Sequence, residues 1–137
     1  MRRILALACG LVAAASLQAG VILVDFKAEP GLNKVTLVWR VRAEQGIEAY
    51  EVERSLDPHE GFQRIGRVEA EGTPSAETVR TYTYVDKTIF KASDRTYYYR
   101  LRIVESNGRF SYSDVLSVAV QVSAARHTWG SIKAMFR

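Results

Sequence analysis

Between Val21 and Val122 apolar side chains alternate with polar ones in short bursts, and turn-forming residues separate the bursts. Successive side chains of a strand point to opposite faces, so this period of two is the mark of half-buried strands. The pattern predicts seven strands, at about 21–28, 34–41, 47–55, 62–70, 80–86, 96–105 and 110–122. Pro30-Gly31, Gly46, Asp57-Pro58 through Gly61, Gly72 to Pro74 and Asn107-Gly108 break the chain between them. Seven strands in about a hundred residues can bury their apolar faces only by packing as two sheets.

Alternation also assigns sides. In KVTLVWRV, Val35, Leu37, Trp39 and Val41 share one face, and Thr36, Val38 and Arg40 share the other. Tyr50 and Val52 lie opposite Glu51 and Glu53. In the segment RTYYYRLRIV, Tyr97, Tyr99, Leu101 and Ile103 fall together, while Tyr98, Arg100, Arg102 and Val104 point the other way. The expected core is therefore Trp39, Tyr50, Tyr97, Tyr99 and Leu101. The outward arginines admit two readings: a cationic strip with Tyr98 as a stacking platform, or a cross-strand charge ladder with Glu51 and Glu53. The ladder is preferred, because acids in that position cancel the field an anionic ligand needs.

A tryptophan closing VTLVWRV, the strand YEVERS followed by GFQRIG, the segment YTYVD, and TYYYRLRIVESNG running into YSDVLSVAV occur in that order. Together they resemble a fibronectin type III domain of the kind found in exported bacterial proteins, over essentially all of Val21 to Val122. The resemblance implies an immunoglobulin-like, all-β sandwich with three strands in one sheet and four in the other. It implies that Tyr97 is the corner tyrosine, whose hydroxyl bonds to backbone in the preceding loop. It also implies that the third and sixth strands are neighbours, with Glu51 and Glu53 lying opposite Arg100 and Arg102.

The two ends of the chain differ from its body. Residues 1–19 combine Arg2 and Arg3, an apolar run from Ile4 to Leu17 and small residues near Ala19, the layout of a secretory signal peptide cut close to Ala19-Gly20. The alternatives are an uncut segment anchoring the chain in a membrane, and a lipoprotein signal ending at Cys9. Cys9 is the only cysteine, so the sandwich at 21–122 is expected to hold without a disulfide. The tail, 123–137, repeats Trp129, Ile132 and Phe136 at helical spacing, with Met135 beside them and Lys133 and Arg137 flanking. An amphipathic docking or sorting peptide is the preferred reading of these six residues. Packing back onto the domain and weak attachment to a membrane surface are the others.

Formal net charge is +4 for 19 cations and 15 acids. Without Arg2 and Arg3 and the tail cations Arg126, Lys133 and Arg137, 14 cations face the 15 acids. The excess belongs to the ends, which argues against a nucleic-acid partner. The cluster Asp57-Pro58-His59-Glu60-Gly61 holds one histidine, too few ligands for a zinc site, and reads as a solvated turn. Asn107-Gly108 reads as a hairpin turn, since both residues tolerate positive φ. No nucleophile elbow, phosphate loop or paired-histidine motif is present.

The functional expectation is an exported, non-catalytic binding or spacer module without cofactor or metal, engaging a protein or polysaccharide at the cell surface. Its setting would be secreted, periplasmic or surface-bound. A structural subunit joining its neighbours by strand addition is the alternative, and a small secreted hydrolase is the third reading.

Overall fold

The computed structural model describes residues 19–89 and 95–120. Residues 1–18 of the expected signal peptide, the C-terminal tail with its six named residues, and the last two residues of the expected final strand lie outside these. Eight strands form: β1 (Gly20–Gly31), β2 (Lys34–Gln45), β3 (Ile47–Ser55), β4 (Gln63–Glu69), β5 (Arg80–Asp86), β6 (Arg95–Glu105), β7 (Phe110–Tyr112) and β8 (Leu116–Val120). One sheet runs β1-β2-β5. The other runs β4-β3-β6-β7, with β8 also pairing β6.

The eighth strand corrects the sequence reading. The stretch predicted as one strand, 110–122, is divided into β7 and β8 on the same edge of β6. Ser113 makes the break. Its N–H donates to the Leu101 carbonyl at 2.9 Å, and its hydroxyl accepts from the Leu101 N–H at 2.8 Å. Ser111 faces Ile103 in β7 whereas Leu116 faces Tyr99 in β8, a shift of one residue. A one-residue slip exchanges the faces of everything beyond it. Phe110 and Tyr112 therefore stand in solvent, although Val118 and Val120, of the same parity, are buried.

Trp39, Tyr50, Tyr99 and Leu101 are fully buried between the sheets and Tyr97 nearly so. The Trp39 ring stacks on Tyr82 at 5.8 Å, tilts against Tyr50 at 5.6 Å and meets Phe26 edge-on at 6.4 Å. Two carboxylates lie inside with these rings, each satisfied as buried charges must be. Glu44 accepts from both the Tyr50 and Tyr82 hydroxyls and from the Gly72 N–H at 2.6 Å. Asp86 accepts from Tyr99 at 2.7 Å and from Arg54 at 2.7 Å. Both acids link the sheets, since Glu44 lies near the end of β2 and reaches β3, while Asp86 ends β5 and reaches β6.

The open side between β4 and β5 is closed by a tyrosine. β4 bulges at Ile65, because Gly66 pairs Val52 and Arg64 pairs Glu53. The freed Ile65 carbonyl accepts from the Tyr84 hydroxyl at 2.7 Å. The Tyr84 ring lies so close over Gly66 that no side chain fits there.

The β6–β7 reversal is a hairpin at Asn107-Gly108, but only Gly108 takes a positive φ, of 88°. Its N–H donates to the Glu105 carbonyl at 3.0 Å, and Asn107 instead accepts the Arg109 N–H through its side chain at 2.9 Å. The turn is the longer kind with a left-handed glycine closing it. At the β3–β4 connection Asp57 accepts from the His59 and Glu60 N–H groups at 2.7 and 3.2 Å, a turn tied by its own side chain.

Candidate functional site

The outer face of the β4-β3-β6-β7 sheet gathers the charged residues that alternation points away from the core. β3 and β6 pair so that Glu51 faces Arg102 and Glu53 faces Arg100. Arg67 of β4 lies on the other side of Glu51, which completes a row across three strands. Arg100 donates through Nε to Glu53 at 2.8 Å. Glu51 is held less closely by three guanidinium groups, Arg67 and Arg102 at 3.5 Å and Arg64 at 3.7 Å.

This is the expected ladder, with one difference that changes its chemistry. Both acids are buried, with Glu51 6% and Glu53 8% exposed. The arginines lie over them, and the Arg64 side chain is 58% exposed. The surface over Arg64, Arg100 and Arg102 is therefore the cationic part of the face, while at Arg67 the exposed Glu69 and Glu48 pair the guanidinium at 2.7 and 3.2 Å. Desolvated carboxylates require these partners, and each arginine is part of the fold as well as of the surface.

Aromatic rings then order the cations. The Arg100 guanidinium sits 4.1 Å from the centre of the Phe62 ring and 3.9 Å from that of Tyr112. Arg102 sits 4.0 Å from the centre of Phe110. Phe110 and Tyr112 meet edge to face at 5.5 Å, each about half exposed. Cation–ring contacts of this kind are worth about 0.5–2 kcal/mol each, more when desolvated. The one-residue shift at Ser113 is what allows β7 to hold its two rings on this face.

Tyr98 is half-buried and, among the described residues, is not one of the rings that contact these arginines. The rings that contact the arginines of this face are those of Phe62, Phe110 and Tyr112, which sequence reasoning passed over. A signal was present in FSY, whose two rings at a spacing of two match the spacing of Arg100 and Arg102. Reading 110–122 as one strand placed those rings with Val118 and Val120 and hid it.

Tyr97 lies under Arg54, with the guanidinium 5.4 Å from its ring centre. The loop to which its hydroxyl was expected to bond includes residues 90–94, outside the described residues. Among those described, the buried tyrosine hydroxyl bonded to an acid on this strand is that of Tyr99. An open depression of about 750 Å³ near Tyr97 is walled by Arg54, Leu56, Asp57, Glu60 and Arg95, a lining of mixed charge. No group of three or more histidine, cysteine, aspartate or glutamate side chains suited to a metal occurs among the described residues.

Known structures share this architecture. An Fn3-like protein from Clostridium thermocellum superposes with a TM-score of 0.50 at 22% identity, over 72% of this chain and 88% of its own. The likeness shows the fold. A pectate lyase from Erwinia chrysanthemi, in complex with tetragalacturonic acid, gives a TM-score of 0.51 at 20% identity over 73% of this chain. The chain spans only 28% of that enzyme's length. A protein from Bacteroides uniformis named for carbohydrate binding gives 0.52 at 12% identity, over 73% of this chain and 57% of its own. No protein-family model matches the chain, and no curated protein sequence matches it.

Proposed function

We propose that the protein is an exported, non-catalytic binding module of the fibronectin type III kind, and that it engages polysaccharide through the outer face of its β4-β3-β6-β7 sheet. The observation that carries this reading is the pair of half-exposed rings, Phe110 and Tyr112, held on a flat face by stacked arginines. Two solvent-facing rings are costly on a small domain unless something covers them. The C–H face of a sugar ring is flat, apolar and of their size. Kinship in fold with one protein named for carbohydrate binding and with a lyase seen with an oligosaccharide supports the choice of ligand class. The N-terminal leader supports export to where such polymers are found, and the C-terminal tail remains a candidate docking peptide.

The test is retention of the full-length secreted protein in gels cast with neutral and with acidic polysaccharides. The protein is expected to be retarded by at least one of them, and Phe110→Ala/Tyr112→Ala to lose about tenfold or more in affinity with an unchanged far-UV spectrum. Equal retardation of the double variant would move the binding site elsewhere. Migration unaffected by every polysaccharide would end the reading, and release of new reducing ends during incubation would make the protein an enzyme.

A further inference from the structure

Arg100 is fixed in a way that the ladder alone does not require. Its guanidinium carbon lies over two rings, 4.1 Å from the centre of Phe62 and 3.9 Å from that of Tyr112. Its Nε donates to Glu53 at 2.8 Å. A guanidinium held by two rings and by its Nε has its two terminal nitrogens left over. These nitrogens carry no hydrogen bond among the described residues, and they are not among the buried atoms left without a partner. They therefore reach solvent. Two parallel N–H groups held in one orientation match the two oxygens of a carboxylate.

The surroundings favour the same kind of group. Arg102 lies two residues along the same strand face, stacked on Phe110, and Arg64 is the most exposed cation of the cluster. The two acids that balance them, Glu51 and Glu53, are under 9% exposed. A ligand approaching over Arg64, Arg100 and Arg102 meets cations and rings, with Glu51 and Glu53 below and the exposed Glu48 and Glu69 to one side at Arg67.

We infer that this face recognises a carboxylated polysaccharide, with the terminal N–H edge of Arg100 taking a sugar carboxylate and the open side of Phe110 taking a sugar C–H face. The inference rests on the proposed polysaccharide-binding role and narrows it to an acidic chain. An acidic protein is disfavoured by area. A stable protein interface covers about 800 Å² on each partner around an apolar centre. Two half-exposed rings supply only about 200 Å² of apolar surface, since a whole aromatic side chain buries roughly 150–250 Å². That suits one or two sugar units.

Isothermal titration of the full-length protein with polygalacturonate, with its fully methyl-esterified form and with poly-aspartate separates the cases. Polygalacturonate is expected to bind at least about tenfold more tightly than the ester, with an affinity that falls as salt is raised. Poly-aspartate is expected to bind at least tenfold more weakly than polygalacturonate. Arg100→Lys keeps the charge above Glu53 but removes the planar fork, and should cost about tenfold more against polygalacturonate than against the ester. Arg64→Gln, at an exposed position, is the second variant, and should lower affinity for the acid alone. Equal affinity for acid and ester would overturn the acidic specificity and leave the polysaccharide-binding role standing. Equal affinity for poly-aspartate would reduce the site to bare charge. Absence of binding to either polysaccharide, with glycan retention also lost in gels, would remove both.

Discussion

Position 66 shows how much depends on one absent side chain. A methyl group there would fall inside the Tyr84 ring, which is itself held by its bond to the Ile65 carbonyl. Gly66→Ala is expected to destabilise the protein by about 1–3 kcal/mol, the usual range for overpacking. Urea unfolding measures this, and adding Tyr84→Ala should cost less in the Gly66→Ala background than in the wild type, because the clash and the ring share one cause. Neither this contact nor the buried acids were legible in the sequence. Alternation sorted Trp39, Tyr50, Tyr97, Tyr99 and Leu101 inward because apolar side chains obey it. Glu44 and Asp86 are inside because distant hydroxyls satisfy them, Tyr82 being 38 residues from Glu44. Charge counted along the chain failed for a similar reason. A balance near neutrality gave no sign that two acids would be buried beneath the arginines that neutralise them.

Among the elements, the junction between β7 and β8 decides what the outer face can be. Ser113 meets both backbone groups of Leu101 and thereby adds the residue that turns Phe110 and Tyr112 outward. Ser113→Ala leaves the Leu101 N–H without its acceptor, and should cost about 1–3 kcal/mol, the range for a polar group deprived of its partner at a partly buried position. Hydrogen exchange at the Leu101 amide should accelerate more than at Leu37 in the centre of β2. Uniform protection at both sites would mean that the serine side chain does not fix the break. Strand existence was legible throughout, since β1 to β6 lie where alternation places them. The break was not, because Phe110, Tyr112, Leu116, Val118 and Val120 are all of one parity and mimic an uninterrupted strand. The hairpin at Asn107-Gly108 was located correctly, but its type depends on the Asn107 side chain turning to the Arg109 N–H.

At the level of the whole molecule, ionisable groups join the sheets and make stability depend on pH at both extremes. Burial, hydrogen bonding to Glu44 and its charge push the Tyr50 hydroxyl far above its ordinary range. Burial raises Tyr82 to about 12 despite its bond from the Glu71 N–H. Burial and the bond to Asp86 raise Tyr99. A raised folded-state value means stability fully present below the unfolded value of about 10 and lost as pH climbs through the folded ones. Spectrophotometric titration should show Tyr50, Tyr82 and Tyr99 ionising only together with loss of the strand signal, beginning between about pH 10 and 12. Ionisation of these three in a chain that keeps its strand signal would contradict the buried bonds. At the acid end, burial pushes Asp86 up, but bonds from Thr88, Tyr99 and Arg54 outweigh it and hold the carboxyl below its usual value. The stability it contributes is present above pH about 4 and falls away as that group protonates.

The bulge at Ile65, with Tyr84 drawing its carbonyl aside, has a bearing on life at high local density. The opposite margin of the same sheet is interrupted between Tyr112 and Leu116, and β1 is irregular near Ile22 and again near Leu23. Fibre growth by templating needs a straight, unpaired row of amides on one molecule to meet another. Here the rows are broken at three of the margins, so copies crowded together would slide past one another as separate beads and would not fuse into a cable.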